Sequence, residues 1–155
     1  MEYLTVIASG RVDDDGVPEL FAAADAYGLS IYPPENYHAL DVHEFDRDDV
    51  LLLVAREENG RAIGMAALVP ADGYGELKRM FVHPDGRGAG VGRALLDAVE
   101  AAALARGIRS MRLETGEPQA AAIALYERAG YARIPPFGEY VNDPTSVCME
   151  KPLTG

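Results

Sequence analysis

The chain is poor in the residues that staple, ligate or anchor a fold. A single cysteine, Cys148, excludes an internal disulfide, and at 155 residues folding removes enough surface from water, about 70%, to need no such staple. No apolar run approaches the ~20 residues of a membrane span, and Met1-Glu2-Tyr3-Leu4 lacks the basic start of a signal peptide, so a soluble, cytoplasmic protein is expected. Basic side chains are scarce: 14 Lys and Arg against 25 Asp and Glu leave a net charge of −11. That balance argues against sequence-independent binding to nucleic acid or anionic lipid. Histidines are also few, and His38 and His43 lie five residues apart, off the i,i+4 spacing of a helical metal pair and without a cysteine cluster. No metal site is expected.

What charge there is divides unevenly. Residues 1–70 carry four basic and fourteen acidic side chains, whereas residues 71–155 carry ten and eleven. One half is strongly anionic and the other balanced, so partners of both signs can be served by one domain spanning residues 1–155. Tyr3 to Ala8 reads as a strand, and Asp15 to Tyr27 as a helix ended by Gly28. After Pro33-Pro34, Glu35 to Asp49 reads as a short helix plus loop. Val50–Ala55, Ala62–Val69 and Glu76–Val82, joined by tight turns, predict an antiparallel meander. Gly90 to Arg106 repeats apolar residues at helical spacing, with Val91, Ala94, Leu95, Ala98, Val99, Ala102 and Ala105 on one face. A strand over Arg109–Glu114, a helix over Pro118–Ala129, a strand over Tyr131–Ile134 and a last strand over Ser146–Lys151 follow. The expected fold is α/β (α+β): one mixed, mostly antiparallel central sheet flanked by helices.

The most informative segment is the loop from Val82 to Arg93, in which Gly86, Gly88, Gly90 and Gly92 alternate between a strand and a helix start. A strand–loop–helix junction offers unpaired backbone N–H groups and the positive end of a helix dipole, a natural phosphate cradle. Glycine lets the backbone approach a ligand closely, and Arg87 and Arg93 add cationic donors. Two familiar phosphate loops do not fit. Gly92 is followed by Arg93 and Ala94 where a Walker loop needs Lys and Ser or Thr, and a dinucleotide fingerprint started at Gly86 or Gly88 ends on Val91 or Arg93. No serine sits in a G-x-S-x-G elbow.

Arg87-x-x-Gly90-x-Gly92 after Val-His-Pro resembles the pyrophosphate-binding segment of the GNAT superfamily of acetyl-CoA-dependent N-acetyltransferases. Glu76 to Val82 is similar to that family's central strand, and Gln119 to Tyr131 to its later helix, with Gln119 where Asn is usual; the resemblance spans about residues 60–134. It implies acetyl-CoA as cofactor, held by Met80, Phe81, Val82, Arg87, Gly88, Ala89, Gly90, Val91, Gly92, Arg93, Gln119 and Ala122. It also implies transfer of acetyl to a primary amine of a small molecule by direct attack. Glu76 is the expected general base, with Glu114 in reserve, and Tyr126 the general acid toward the departing thiolate. The acceptor pocket is expected to draw on Tyr32, Glu35, Glu114, Phe137 and Tyr140, and the acidic first half predicts a cationic amine. A non-catalytic acyl-CoA-binding module and transfer of a longer acyl group remain open readings. Dimerisation is common in look-alike proteins, and nothing in the sequence marks the surface for it.

Overall fold

The computed structural model describes residues 5–37, 42–88 and 90–154. Seven strands form one sheet: β1 (Thr5–Ser9), β2 (Leu51–Glu57), β3 (Ala62–Ala71), β4 (Tyr74–Val82), β5 (Ser110–Gly116), β6 (Ala132–Ile134) and β7 (Ser146–Pro152). Three helices flank it: α1 (Val17–Ile31), α2 (Val91–Ala105) and α3 (Ala120–Arg128). The strand order is β1-β2-β3-β4-β5-β7-β6, and every neighbouring pair is antiparallel except β4–β5. The expected mixed sheet is therefore present. The meander β2-β3-β4 follows from its turns, whereas the insertion of β7 between β5 and β6 has no signal in local sequence.

Alternation along the strands divides the core in two. Leu53, Ala66, Leu68, Leu77, Met111, Leu113 and Met149 face α2 and α3. Leu52, Val54, Met65 and Phe81 face α1 through Val17, Leu20, Phe21 and Ala24. Phe137, Tyr140 and Cys148 make a smaller cluster with Tyr74. Cys148 is buried, as its predicted strand position implies.

Three details differ from the sequence reading, each for a packing reason. α1 runs through Gly28 to Ile31 rather than ending there. The Tyr37 ring lies where a side chain at Gly28 would stand, so this glycine serves close approach and not termination. Glu35 to Asp49 forms two short 3₁₀ turns, Pro34–Asn36 and Val42–Asp46, in place of one helix, while His38 and residues 39–41 lie outside the described residues. In α2 the buried stripe is Val91, Leu95, Leu96, Val99, Glu100 and Ala103, while Ala94 and Ala105 are exposed. Glu100 belongs to that stripe because Tyr131 Oη donates to it at 3.0 Å and Lys151 Nζ at 2.7 Å.

Candidate active site

The site begins with a failure of strand pairing. β4 and β5 pair in parallel only at Gly75–Met111, Glu76–Arg112 and Leu77–Leu113. Beyond Leu77, β4 stays with β3 but shifts register by one residue between Met65–Phe81 and Ala67–Lys78. This bulge falls at Arg79, whose φ of 57° lies in the left-handed region that non-glycine residues avoid. Arg79 is held there from below: Nη1 donates to Asp25 Oδ1 at 2.6 Å, and the guanidinium lies over the Phe21 ring at 4.8 Å. Tyr37 Oη donates to the same Asp25 oxygen at 2.8 Å. The bulge also turns over the alternation, sending Met80 and Val82 toward the α2 face and Phe81 toward α1.

The splayed strands open a cleft of about 490 Å³. Leu77 to Val82 form one wall and Leu113 to Thr115 another, with the start of α3 and the C-terminal half of α1 across from them. One end meets α2. Its N-cap, Gly90, has φ 76° and no side chain to satisfy the first-turn amides, and Gly88 has φ 86°. A side-chain carbon at either glycine would meet nothing within 4 Å, so the cradle is open at the backbone itself. Gly92 and Arg87 line the cleft beside it, and Arg87 Nε donates to the Val82 carbonyl at 3.3 Å. Amide donors, a dipole end and a guanidinium fit a diphosphate.

The expected residues divide accordingly. Met80, Phe81, Val82, Arg87, Gly92, Gln119, Ala122 and Tyr126 all line the cleft. Ala89 lies outside the described residues. Val91 turns its side chain into the core, leaving its backbone at the helix start, and Arg93 is spent on Asp97 at 3.0 Å, away from the cleft wall. Gln119 Nε2 donates to Tyr32 Oη at 3.0 Å, joining the residue expected on the cofactor side to one expected on the acceptor side. Replacing Gln119 by Ala removes one hydrogen bond of about 1 kcal/mol, so the product of the two KM values, for acetyl-CoA and for the acceptor, should rise about fivefold with kcat held. Steady-state kinetics in both substrates check this.

At the other end, Tyr32, Glu114 and Tyr140 line the cleft; Glu35 is exposed away from it, and Phe137 is buried behind Tyr140 at 5.3 Å between ring centres. Glu114 accepts from Ser146 Oγ at 2.7 Å. Glu76 is not among the wall residues: its side chain is 14% exposed, and Tyr140 Oη donates to Glu76 Oε2 at 2.5 Å. Burial pushes the Glu76 carboxyl above the usual range, opposed by Lys78, 3.8 Å away, and by the Tyr140 hydrogen bond. Burial likewise raises the hydroxyl of Tyr126, so it keeps its proton. Sequence reading missed Lys78, Arg79, Tyr27 and Tyr37 as wall residues. The Arg79 bulge carries no local signature, because nothing in Lys-Arg-Met-Phe breaks a strand.

Residues 17–131 match the model of the Acetyltransferase (GNAT) family. An IAA acetyltransferase of Azospirillum brasilense is 45% identical over 141 residues, covering 90% of this chain and 92% of that protein. The uncharacterized N-acetyltransferase YsnE of Bacillus subtilis is 35% identical over 127 residues, 78% of this chain and 82% of its own. A crystal structure of a Klebsiella pneumoniae protein described as an acyl-CoA N-acyltransferase superposes with a TM-score of 0.79 at 39% identity, over 97% of this chain and 99% of that one. This chain, with its splayed β4–β5 cleft and glycine cradle, belongs to the GNAT acetyltransferase family and is an acetyl-CoA-dependent N-acetyltransferase.

Proposed function

We propose that residues 1–155 form one domain that transfers acetyl from acetyl-CoA to a primary amine of a small cationic molecule, with Glu76 as the terminal proton acceptor and Tyr126 as the donor toward the thiol. The observation that carries the reading is the cleft itself, which runs from Arg87 and Gly92 beside the start of α2 to Tyr140, whose hydroxyl is bonded to the Glu76 carboxyl of raised proton affinity. Acetyl-CoA supplies an activated acyl carbon and a thiolate leaving group. Arg87 and the amides of the α2 first turn take the diphosphate, and the edge of β4 left unpaired past Leu77 takes the extended arm. Tyr126 offers a neutral hydroxyl to the sulfur, a hydrogen bond that strengthens as thiolate charge develops.

A cationic acceptor is supported by different residues from those that suggested it. Among the described residues of the first seventy, Ala24, Tyr27, Gly28, Tyr32 and Tyr37 line the cleft, and no carboxylate does. The negative field at the acceptor end comes instead from Glu76, Glu114 and Glu139 around Tyr140, with Lys78 as counter-charge. Asp25 and Arg79 neutralise each other. An alkylammonium is drawn to such a site, and it must lose a proton before it attacks.

Thiol release from acetyl-CoA with a panel of diamines, neutral arylamines and amino acids, plus the IAA named in the Azospirillum relative, tests this. Diamines should give the highest kcat/KM. Acidic amines as the best acceptors would refute the charge argument, and acetyl-CoA binding without release across the panel would favour a non-catalytic module. Among the described residues no helix is long and apolar enough to cross a membrane.

A further inference from the structure

We propose that Tyr140 is a catalytic residue whose Oη takes the proton of the acceptor ammonium while passing its own proton to Glu76 Oε2. The proposal rests on the acetyl-transfer reading above and names the group that touches the acceptor. Glu76 does not line the cleft, and Tyr140 does. A base that does not line the cleft needs a conductor, and the Tyr140 hydroxyl is already bonded to the carboxylate at 2.5 Å. Its ring is clamped between Phe137, 5.3 Å away, and Lys78 Nζ, 5.4 Å from its centre, and the residue is 2% exposed. Transfer therefore takes place at the dry floor of the cleft, where charge interactions are strongest.

The chemistry requires both proton movements together. A neutral phenol is a poor base, so its oxygen can accept a proton only as it releases the one it holds. Phenolate as a pre-formed base is excluded: burial, then the charge and hydrogen bond of Glu76, push the Tyr140 hydroxyl far up. Glu76 can take the proton because burial has raised its affinity. Several other groups act on the pair. Lys78 on β4 opposes protonation of Glu76. Glu114 on β5, Glu139 beside Tyr140 and Glu44 of the Val42–Asp46 turn add negative field, and Cys148 on β7 stands behind, neutral because burial raises its thiol. Arg112 is engaged by Glu150 at 2.6 Å.

The balance is simple. One ammonium proton ends on Glu76 and leaves later to solvent. The freed nitrogen pair forms the N–C bond, and the C–S bond breaks with its pair on sulfur. The proton shed by the new amide nitrogen equals the one gained by the thiolate. Amide, free thiol and one released proton are the products.

Tyr140→Phe, Glu76→Gln and the double variant decide the matter, with 1,4-diaminobutane or the fastest amine of the panel as acceptor. Each single variant should lower kcat by about 10²-fold and lose the acid limb of the pH profile, and the double should fall no more than about threefold further. Coenzyme A affinity should stay within about twofold in all three. Multiplied losses of about 10⁴ would mean independent roles and overturn the relay. So would a fast Tyr140→Phe with its acid limb intact beside a slow Glu76→Gln, which leaves acetyl transfer and the Glu76 base standing. Should Glu76→Gln itself be fast, the base assignment fails and the relay with it. A measurement on the unaltered enzyme covers the case of a misfolded variant: a single-turnover rate in H₂O/D₂O mixtures should bow with deuterium fraction, as two protons in flight require, and a straight line would overturn the proposal.

Discussion

Gly90→Asp should weaken coenzyme A binding by about two orders of magnitude without unfolding the protein. Gly90 caps α2 at φ 76°, and a new side chain there meets nothing within 4 Å. The left-handed conformation strains any side chain but costs aspartate less than most, since Asn and Asp are the non-glycine residues that visit it most readily, and the matched Gly90→Asn carries the same strain. What changes is charge. A carboxylate at the helix start can bond to the first-turn amides the diphosphate needs, and it repels the diphosphate. One pair of like charges about 5 Å apart at an effective dielectric near 20 costs about 3 kcal/mol, or about 150-fold in affinity. Gly90→Asn isolates the charge, having nearly the same shape and no formal charge, and should lose only a few-fold. Titration calorimetry with coenzyme A at two salt concentrations checks both, the gap between the variants narrowing at high salt. Equal affinity in Gly90→Asp and the parent would place the diphosphate elsewhere.

That cradle was legible because every part of it is local. Glycines at alternate positions between a strand and an amphipathic helix define the backbone path and the dipole end together, and the structure adds only that Gly88 and Gly90 carry the left-handed angles. Arg93 shows the limit of even local reading: with Asp97 four residues on, it closes an ion pair along α2 instead of reaching the cleft. The acceptor end was less legible because its residues meet across the fold. Glu76 and Tyr140 are 64 positions apart, and only the turn before β7 brings the phenol over the carboxylate. The charge asymmetry led to the expectation of an acidic acceptor side drawn from residues 1–70. Most acids of residues 1–70 lie in exposed turns, such as Asp13, Asp15 and Asp48, while the carboxylates that act on Tyr140 are Glu76, Glu114 and Glu139. Bulk composition weighs every charge alike; a site weighs them by distance and burial.

Lys151→Met should destabilise the protein by about 3 kcal/mol and lower Tm by about 9 °C, with coenzyme A affinity unchanged. Lys151 and Glu100 form a partly sequestered pair at 2.7 Å, with side-chain exposures of 23% and 12%. They join the buried stripe of α2 to β7, and Tyr131 Oη supplies the other carboxylate oxygen with its hydrogen bond. The Lys151 stem packs over Gly130, where methionine is long enough to keep the apolar contact. The loss is then that of one charge, leaving Glu100 desolvated with a neutral donor. Removing one partner of a buried pair costs more than the pair contributes, because the survivor cannot regain its water. Adding Glu100→Gln to Lys151→Met should therefore recover most of the loss, because it removes the orphaned charge and keeps an acceptor for Tyr131 Oη. Thermal unfolding of both variants checks the pair. A parent-like Tm in Lys151→Met would show that solvent screens the bridge as at an exposed site, and a double variant as unstable as the single would show that the stripe needs the charge itself and not merely the absence of an orphan.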